Sequence, residues 1–283
     1  MNASVYKSEQ GRQIVAQAYQ NHLNSALADG LVQKTIETAY GRTFILEKSS
    51  PQKPPLVLLH GSTSNSASWL GILPLFTQDF SVFCVDIPGE PGFSTSERFP
   101  LASDTPESWL RCTLDALGLQ KCSFLGMSLG GWYAVDFAVR NPERVQALSL
   151  VSGGGIAAQK LGFIFKALFF LMLGKTGQHM LSKVIYHHTV VPQEILDYQA
   201  IVSKHFNPVT EPLPVFSDEQ LLRLTMPIQY FGGDHDGLLH TRRSVERLKA
   251  LLPHADAQLL VDTGHAIIDK FDEVKEFLIR SLA

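Results

Sequence analysis

The chain has 283 residues, of which 45% are hydrophobic and 18% are charged, and its formal net charge is -3. This length can form one large core, or a core with a small accessory domain. The nearly neutral charge balance provides no basic field, so nucleic acid is not an expected partner.

Three cysteines, Cys84, Cys112 and Cys122, match no zinc or redox spacing and are interpreted as free thiols in a reducing compartment. The N-terminal segment lacks a basic start followed by an apolar core, so no secretory signal is recognised. The longest apolar stretch, 161–173, is interrupted by Lys166 and is too short to span a bilayer. We therefore expect a cytoplasmic protein without stable membrane insertion.

The N-terminal region is predicted to form a helix followed by a hairpin. Apolar spacing indicates a helix over 12–28, with Gly30 as its stop. From Thr35 the pattern changes to alternation, which indicates an antiparallel hairpin around Gly41. A proline-containing linker over 51–55 separates this region from the rest.

Short apolar runs, of the kind that is buried on both faces of a parallel sheet, follow from residue 56 onward. Helix-length segments such as 106–117 and 130–139 lie between most of them. This alternation of strand and helix is typical of a doubly wound α/β sheet. The predicted strands are 56–59, 82–85, 123–125, 147–151, 228–231 and 258–261.

The alternation stops between about 155 and 224, where several helices and no clear strand are predicted. Because this region lies between two strands, we interpret it as a helical cap over the carboxyl ends of the strands, where open α/β sheets bind ligands. The predicted cap is 155–214, and the predicted core is 1–154 together with 215–283.

The first half of the cap, 155–193, contains lysines and aromatic residues but no acidic residue. An amphipathic helix with solvated lysines and aromatic side chains packed on the core would explain this composition. Alternatively, the segment forms an apolar lid, basic on its outer side, that admits acyl chains and contacts anionic lipid. The residues concerned are Lys160, Lys166, Lys175, Lys183, Phe163, Phe165, Phe169, Phe170 and Met172.

The segment 126–130 has the G-x-S-x-G pattern between a predicted strand and a predicted helix. A sharp turn in that context lifts the serine hydroxyl to the top of the sheet and directs the free N–H groups of the helix towards it. The turn is tight, which explains Gly126 and Gly130. Ser128 is the candidate nucleophile, and the backbone N–H of Leu129 is a candidate oxyanion-hole donor. The alternative is a chance match in a glycine-containing loop.

The chain resembles the α/β-hydrolase superfamily in five segments, which are in order LLHGSTSNSASW, VDIPGEPGFS, LGMSLGGWYA, FGGDHDGLL and DTGHAII. Within it they are similar to carboxylesterase-type members with a helical cap, over about 55–283. The resemblance implies an α/β-hydrolase fold and a serine hydrolase that acts on a small ester or acyl substrate without a metal or cofactor. It also implies that the residue after the His60–Gly61 pair, Ser62, provides the second oxyanion-hole N–H.

The base of such a triad follows the last strand of the sheet, and the chain order is serine, acid, histidine. His265 lies four residues beyond the predicted strand 258–261 and is the candidate base. It would take the proton of Ser128 and later return one to the leaving group. His60 could also be taken for a base, but it is interpreted as a residue that braces its loop.

Two carboxylates, Asp234 and Asp236, compete for the position of the triad acid after the strand 228–231. The G-x-x-D pattern of the family fits Gly233 to Asp236. Asp236 is therefore the predicted acid, and Asp234 is predicted to cap or brace the turn. Another acid position of the superfamily, after 147–151, is occupied by Ser152 and glycines.

Other motifs are weaker. Residues 153–158 match G-x-G-x-x-A, but no acidic residue follows before Glu194, so a dinucleotide site is not expected. Residues 174–176, Gly-Lys-Thr, lack the first glycine of a P-loop. The histidine sets His187–His188 and His235 with His240 lack the spacing of a metal cluster with a supporting carboxylate, so surface or hydrogen-bonded histidines are expected.

Hydrolysis of a carboxylic ester through an acyl-enzyme is the leading hypothesis. The same triad could instead perform C–C bond hydrolysis, acyl transfer, lipid hydrolysis or cofactor-free haloperoxidase-like chemistry. Ser128 argues against epoxide hydrolase and dehalogenase activity, which use an aspartate nucleophile. A non-catalytic ligand-binding protein on the same scaffold is the remaining alternative, since a fold alone does not determine function.

Overall fold

A computed structural model describes residues 5–26, 30–160, 162 and 174–282. These residues contain an eight-stranded sheet with the strand order β1-β2-β4-β3-β5-β6-β7-β8. The strands are β1 (Val32–Thr38), β2 (Gly41–Lys48), β3 (Pro55–Leu59), β4 (Ser81–Val85), β5 (Cys122–Met127), β6 (Val145–Val151), β7 (Ile228–Gly233) and β8 (Asp256–Leu260).

The sheet is antiparallel at one edge and parallel elsewhere. The hairpin of β1 and β2 closes at Thr38 opposite Gly41, as predicted, and β2 pairs antiparallel with β4. Each further pairing, from β4 through β3 to β8, is parallel. All six predicted parallel strands are present, with ends shifted by up to two residues, and the mostly parallel, doubly wound α/β class is confirmed.

Helices cover both faces of the sheet. Alternate residues of β3 point to opposite cores: Val57 packs in the cluster that contains Phe137, whereas Leu58 packs in the cluster that contains Phe277. Burial on both faces explains why the parallel strands are continuous apolar runs. The helices are α1 (Glu9–Ala26), α2 (Leu73–Phe76), α3 (Thr105–Ala116), α4 (Leu129–Arg140), α5 (Gly174–Tyr186), α6 (Gln193–His205), α7 (Asp218–Leu221), α8 (Thr241–Leu251) and α9 (Phe271–Arg280).

The region between β6 and β7 contains the helices α5, α6 and α7, and its described residues include no strand. The predicted boundaries of the cap, 155–214, stay a prediction. The aromatic run 163–172 lies outside the described residues. Of the lysines in the predicted cap, Lys160 is half-buried, and its ammonium donates a hydrogen bond to the carbonyl of Asp236.

The N-terminal helix α1 packs on α6, which lies within the predicted cap. Val15 of α1 is buried in a small cluster with Val202 and Phe206. The rings of Tyr6 and Phe206 meet edge to face at 5.5 Å, and the backbone N–H of Lys7 donates to the carbonyl of His205. The N-terminal segment therefore holds α6 in place.

From the sequence we expect free thiols and no stable membrane insertion. Cys84, Cys112 and Cys122 are free, and the first and last of them are buried. Among the described helices, none combines the length and the apolar character that are needed to cross a membrane.

Candidate active site

Ser128 occupies a sharp turn between β5 and α4. Its φ of 49° and ψ of -109° lie in a region that residues other than glycine rarely adopt. The neighbouring chain holds this conformation, because the N–H of Ser128 donates to the carbonyl of Val151 and its carbonyl accepts from the N–H of Gly154. The turn places a half-buried serine at the carboxyl end of the sheet.

Two glycines allow this turn to pack. A Cβ on Gly130 would lie 2.0 Å from the carbonyl oxygen of Leu59, at the end of β3. A Cβ on Gly126 would lie 2.7 Å from the carbonyl oxygen of Gly130. Both separations are closer than any real contact, so the small residues of the G-x-S-x-G pattern have a steric reason here.

Asp236 and His265 form a buried pair. Nδ1 of His265 lies 2.7 Å from Oδ2 of Asp236, and the carboxylate has no exposed surface. Its other oxygen accepts the backbone N–H groups of Leu238 and Leu239 at 2.7 and 2.9 Å. Burial alone would raise the pKa of Asp236, but His265 and the two backbone donors hold that pKa below its usual value.

The end of β6 connects this pair with the turn of Ser128. Val151 accepts the backbone N–H of Ser128, and the hydroxyl of the next residue, Ser152, donates to the carbonyl of His265 at 2.8 Å. Among the described residues, the side chains of Ser128 and His265 share no hydrogen bond. Catalytic hydrogen bonds are often long before substrate binds. Ser152 is a site residue that the sequence reasoning did not identify, although its position after a parallel strand was a signal.

The loop after β3 lies beside the turn of Ser128. A Cβ on Gly61 would lie 3.6 Å from Cβ of Ser128, and the next residue, Ser62, is exposed. On the other side, Leu129 is the first residue of α4, and the first N–H groups of a helix have no partner within it. The loop that carries Ser62 therefore lies against the turn of Ser128 at Gly61, and the roles of Ser62 and Leu129 as oxyanion-hole donors stay predictions.

His60 braces the ends of two strands. Its Nε2 accepts the backbone N–H of Ile87 at 2.9 Å, and its Nδ1 lies 2.8 Å from the carbonyl oxygen of Gly61. These contacts require Nδ1 to carry the proton and Nε2 to be unprotonated. Burial lowers the pKa of His60, which favours the same neutral form. The geometry agrees with the bracing interpretation.

Two buried carboxylates behind this loop were missed from the sequence. Asp86 follows β4, and its Oδ1 accepts from the N–H and the hydroxyl of Ser66 at 2.8 and 2.7 Å and from the hydroxyl of Tyr19 at 3.0 Å. Glu90 accepts the N–H of Thr63. Burial raises the pKa of Glu90 to about 7, against the opposing effects of this hydrogen bond and of the charge of Arg98. The signal for Asp86 was its place at the carboxyl end of a parallel strand.

A cavity of about 300 Å³ reaches the start of α4 at Leu129, the residue after Ser128. Its wall combines apolar side chains with Glu90, Arg98 and Glu211. Leu129 and Tyr133 bring the first turns of α4 into this wall. The remaining lining residues are Pro88, Phe99, Pro100, Leu101, Pro208, Val209 and Thr210.

The second candidate acid, Asp234, contacts the loop that carries His265 but does not contact His265 itself. Its Oδ1 accepts the N–H of Thr263 at 3.2 Å and lies 2.8 Å from Nδ1 of His235. The end of α5 contacts the same loop, because the carbonyl of Ile185 accepts the N–H of His265 at 2.9 Å. Asp234 thus has the turn-bracing geometry that was predicted for it.

The sequence and the fold agree on the class of protein. The chain matches the α/β hydrolase family over residues 56–277, and it belongs to that family. A Bacillus subtilis protein described as the uncharacterized carboxylesterase nap is 26% identical over 239 residues, 82% of this chain and 80% of that protein. Carboxylesterase YbfK of the same organism is 27% identical over 241 residues, 82% of this chain and 81% of that protein.

Solved structures support the fold independently. The crystal structure of carboxylesterase CesB (YbfK) from Bacillus subtilis superposes with a TM-score of 0.83, covering 98% of this chain and 99% of that one at 24% identity. Naproxen esterase from the same organism gives a TM-score of 0.81 over 94% of this chain and 98% of that one, also at 24% identity. The α/β-hydrolase fold is therefore confirmed.

Proposed function

We propose that the protein hydrolyses carboxylic esters through an acyl-enzyme on Ser128, with His265 as the base and Asp236 as its orienting acid. The observation that carries the proposal is the 2.7 Å contact between the buried Asp236 and His265. A carboxylate in this place fixes the tautomer of the histidine and stabilises the imidazolium that forms during attack.

The proposed reaction has two steps. Asp236 holds the proton on Nδ1 of His265, so Nε2 has the lone pair that takes the proton of Ser128 as its oxygen attacks the ester carbonyl. The backbone N–H groups of Leu129 and Ser62 receive the negative charge of the tetrahedral oxygen. His265 then gives its proton to the leaving alcohol. In the second step it activates a water molecule, which releases the acid and restores Ser128.

The relatives support an ester as the substrate class. Two Bacillus subtilis proteins that match about four fifths of this chain are named carboxylesterases. The cavity beside Leu129 offers apolar side chains to an apolar part of the substrate, and its wall also contains Glu90, Arg98 and Glu211.

A fluorophosphonate probe and a set of p-nitrophenyl esters test the proposal together. We expect the probe to label the parent protein once and to leave the Ser128→Ala variant unlabelled, and we expect the parent to hydrolyse the esters. If the probe labels the protein but no ester is hydrolysed, the protein has an activated serine and the proposed ester hydrolysis is refuted. Absence of labelling in folded protein would indicate the non-catalytic alternative.

A further inference from the structure

A second cluster of titratable side chains lies at the edge of the loops that carry the proposed triad. His187, His235 and Asp262 each offer a ligand atom, and these atoms lie within 4.8 Å of one another. Nε2 of His187 is 2.9 Å from Oδ1 of Asp262, and the rings of His187 and His235 stack with centroids 4.5 Å apart. The three residues follow α5, β7 and β8 respectively, so three separate segments of the chain meet here.

We propose that His187, His235 and Asp262 bind a Zn²⁺ ion. Two imidazole nitrogens and one carboxylate oxygen are ligands that zinc prefers, with bonds of about 2.0–2.2 Å. Such bonds at tetrahedral angles place the ligand atoms about 3.3 Å apart. The side chains must therefore adjust: the 2.9 Å contact of His187 with Asp262 opens slightly, atoms that are up to 4.8 Å apart approach one another, and one of the two stacked imidazole rings turns so that its lone pair points at the ion. They can do so, because the side chains of His187 and Asp262 are 24% and 67% exposed and that of His235 is 53% exposed.

The surroundings of the cluster fit a metal site. Oδ1 of Asp234 lies 2.8 Å from Nδ1 of His235, and a carboxylate on the outer nitrogen is the usual partner of a zinc-bound histidine. This contact leaves Nε2 of His235 with a free lone pair. A fourth position is open to water or to His188, whose Nε2 is 4.0 Å from Oδ1 of Asp262. No spacing along the sequence shows this set, because Asp262 is 75 residues from His187.

The backbone supports the arrangement. His187 and Asp262 have φ angles of 53° and 54°, in the left-handed region that costs non-glycine residues about 1 kcal/mol or more each. The chain nevertheless holds these two residues facing one another. Zn²⁺ would replace the proton that these two groups now share, because it binds the unprotonated imidazole nitrogen and the carboxylate.

A bound ion would tie the end of α5 to both loops of the proposed triad. His235 directly precedes Asp236, and Asp262 lies three residues before His265. The carbonyl of Ile185, two residues before His187, already accepts the N–H groups of His265 and Ala266. Zinc would therefore stabilise this junction. An effect on ester hydrolysis would rest on the proposed function, whereas binding itself does not.

Titration of the metal-free protein with Zn²⁺ by calorimetry tests the site directly. We expect one saturable site per chain, and we expect Co²⁺ in its place to give the visible absorption of a four-coordinate ion. The variants His187→Gln, His235→Gln and Asp262→Asn should each weaken binding by at least tenfold, since even outer-sphere partners of zinc ligands change affinity by about that factor. Zn²⁺ should raise Tm in the parent and not in these variants.

His254→Gln is the matched control, because His254 is an exposed histidine that precedes β8, at the opposite end of that strand from Asp262. It should bind Zn²⁺ like the parent. Equal affinity in the parent, His235→Gln and Asp262→Asn would overturn the proposal, and so would the absence of saturable binding. The two exposed ligands allow this test even if His187→Gln fails to fold. Because the titration reads no hydrolysis, its failure is distinct from failure of the proposed esterase activity.

Discussion

Two histidine–aspartate pairs lie on neighbouring loops of this protein and differ mainly in burial. Nδ1 of His265 is 2.7 Å from Asp236, and Nε2 of His187 is 2.9 Å from Asp262. The side chains of the first pair are 10% and 0% exposed, whereas those of the second are 24% and 67% exposed. Similar contacts therefore occur in very different dielectric surroundings.

The direction of the pKa shift does not distinguish the two carboxylates. The hydrogen bond from His187 lowers the pKa of Asp262, and the pKa of Asp236 is also lowered, although burial opposes this. An exposed pair of this kind is weak and screened by water and salt. The buried carboxylate has two further backbone donors and cannot exchange its partner for water. Burial thus favours a fixed contact between Asp236 and His265, as the proposed orienting role requires, and leaves the pair of His187 and Asp262 able to exchange its contact for water or another ligand.

The largest expected effect is the loss of activity when Ser128, the proposed nucleophile, loses its hydroxyl. Ser128→Ala should lower kcat/KM for p-nitrophenyl butyrate by about 10⁴-fold or more, because without the hydroxyl the pair has no oxygen to activate. The free energy of unfolding should change little, since the half-buried side chain makes no hydrogen bond among the described residues. Retention of most of the activity in folded protein would remove Ser128 from the mechanism.

The comparison of the two pairs is tested directly by changing their carboxylates. Asp236→Asn should lower kcat/KM by about 10³- to 10⁴-fold, because His265 loses the partner that fixes its tautomer. In metal-free buffer, Asp262→Asn and Asp234→Asn should each cost less than about tenfold, since neither side chain contacts His265.

Circular dichroism of each variant provides the control for folding in this series. If Asp234→Asn were the more damaging change, the acid would have been assigned in the wrong register. If Asp262→Asn equalled Asp236→Asn, burial would not be the property that separates the two pairs.

Glu90 shows the effect of burial on a carboxyl pKa by itself, because its carboxyl is buried without a histidine partner. Its pKa is raised from 4.5 to about 7, whereas the pKa of Asp236 is lowered. A carboxyl whose folded-state pKa exceeds its unfolded value gives stability that is present at low pH and lost as pH rises through about 4.5 to 7. The free energy of unfolding of the parent, relative to Glu90→Gln, should therefore fall by about 2 to 3 kcal/mol at most between pH 5 and pH 8.

Urea unfolding at several pH values measures this difference, and the amide of the variant keeps an oxygen that can accept from Thr63. If the difference in the free energy of unfolding between the parent and Glu90→Gln stayed constant from pH 5 to pH 8, Glu90 would be ionised in the folded state at both pH values. If that difference rose with pH, a partner that stabilises the charged form of Glu90 would be indicated.

Local signals explain what could be predicted from the sequence. The parallel strands were found because burial on both faces makes them short apolar runs, and the turn of Ser128 was found because its glycines are required within five residues. Contacts between distant segments were not predicted. Tyr19 reaches Asp86 across 67 residues, and Lys160 reaches the carbonyl of Asp236 across 76. No pattern within one segment encodes such contacts. For the same reason, His187 and His235 were weighed in separate histidine sets, without Asp262, and were not predicted to bind a metal.

The choice between Asp234 and Asp236 shows where prediction from the sequence reaches its limit. Both follow the same strand, and only the family pattern separated them in the sequence. In the fold, the turn after Gly233 directs one carboxylate inward to His265 and the other to Thr263. The assignment of Asp236 as the acid stays a prediction that the asparagine variants test.

The smallest expected effect concerns the cavity beside the nucleophile turn. Its volume of about 300 Å³ lies at the lower end of the range for ligand pockets, about 300–1,000 Å³. Each buried methylene contributes about 0.8 kcal/mol, which corresponds to about a fourfold increase in kcat/KM. We therefore expect kcat/KM for p-nitrophenyl esters to rise from acetate to a maximum at short-to-medium acyl chains and then to fall, measured as a series up to decanoate.

Filling the cavity should move this maximum. Leu101 lies in the wall, so Leu101→Trp should shorten the preferred acyl chain, because the larger ring takes space that the substrate would otherwise occupy. Leu222→Trp is the matched control, since Leu222 is 53% exposed and does not line the cavity. A profile that is flat or falls from acetate onward would mean that the acyl group stays outside the cavity. An unchanged maximum in Leu101→Trp would place the acyl chain elsewhere, and the cavity would then be left to the alcohol portion of the ester.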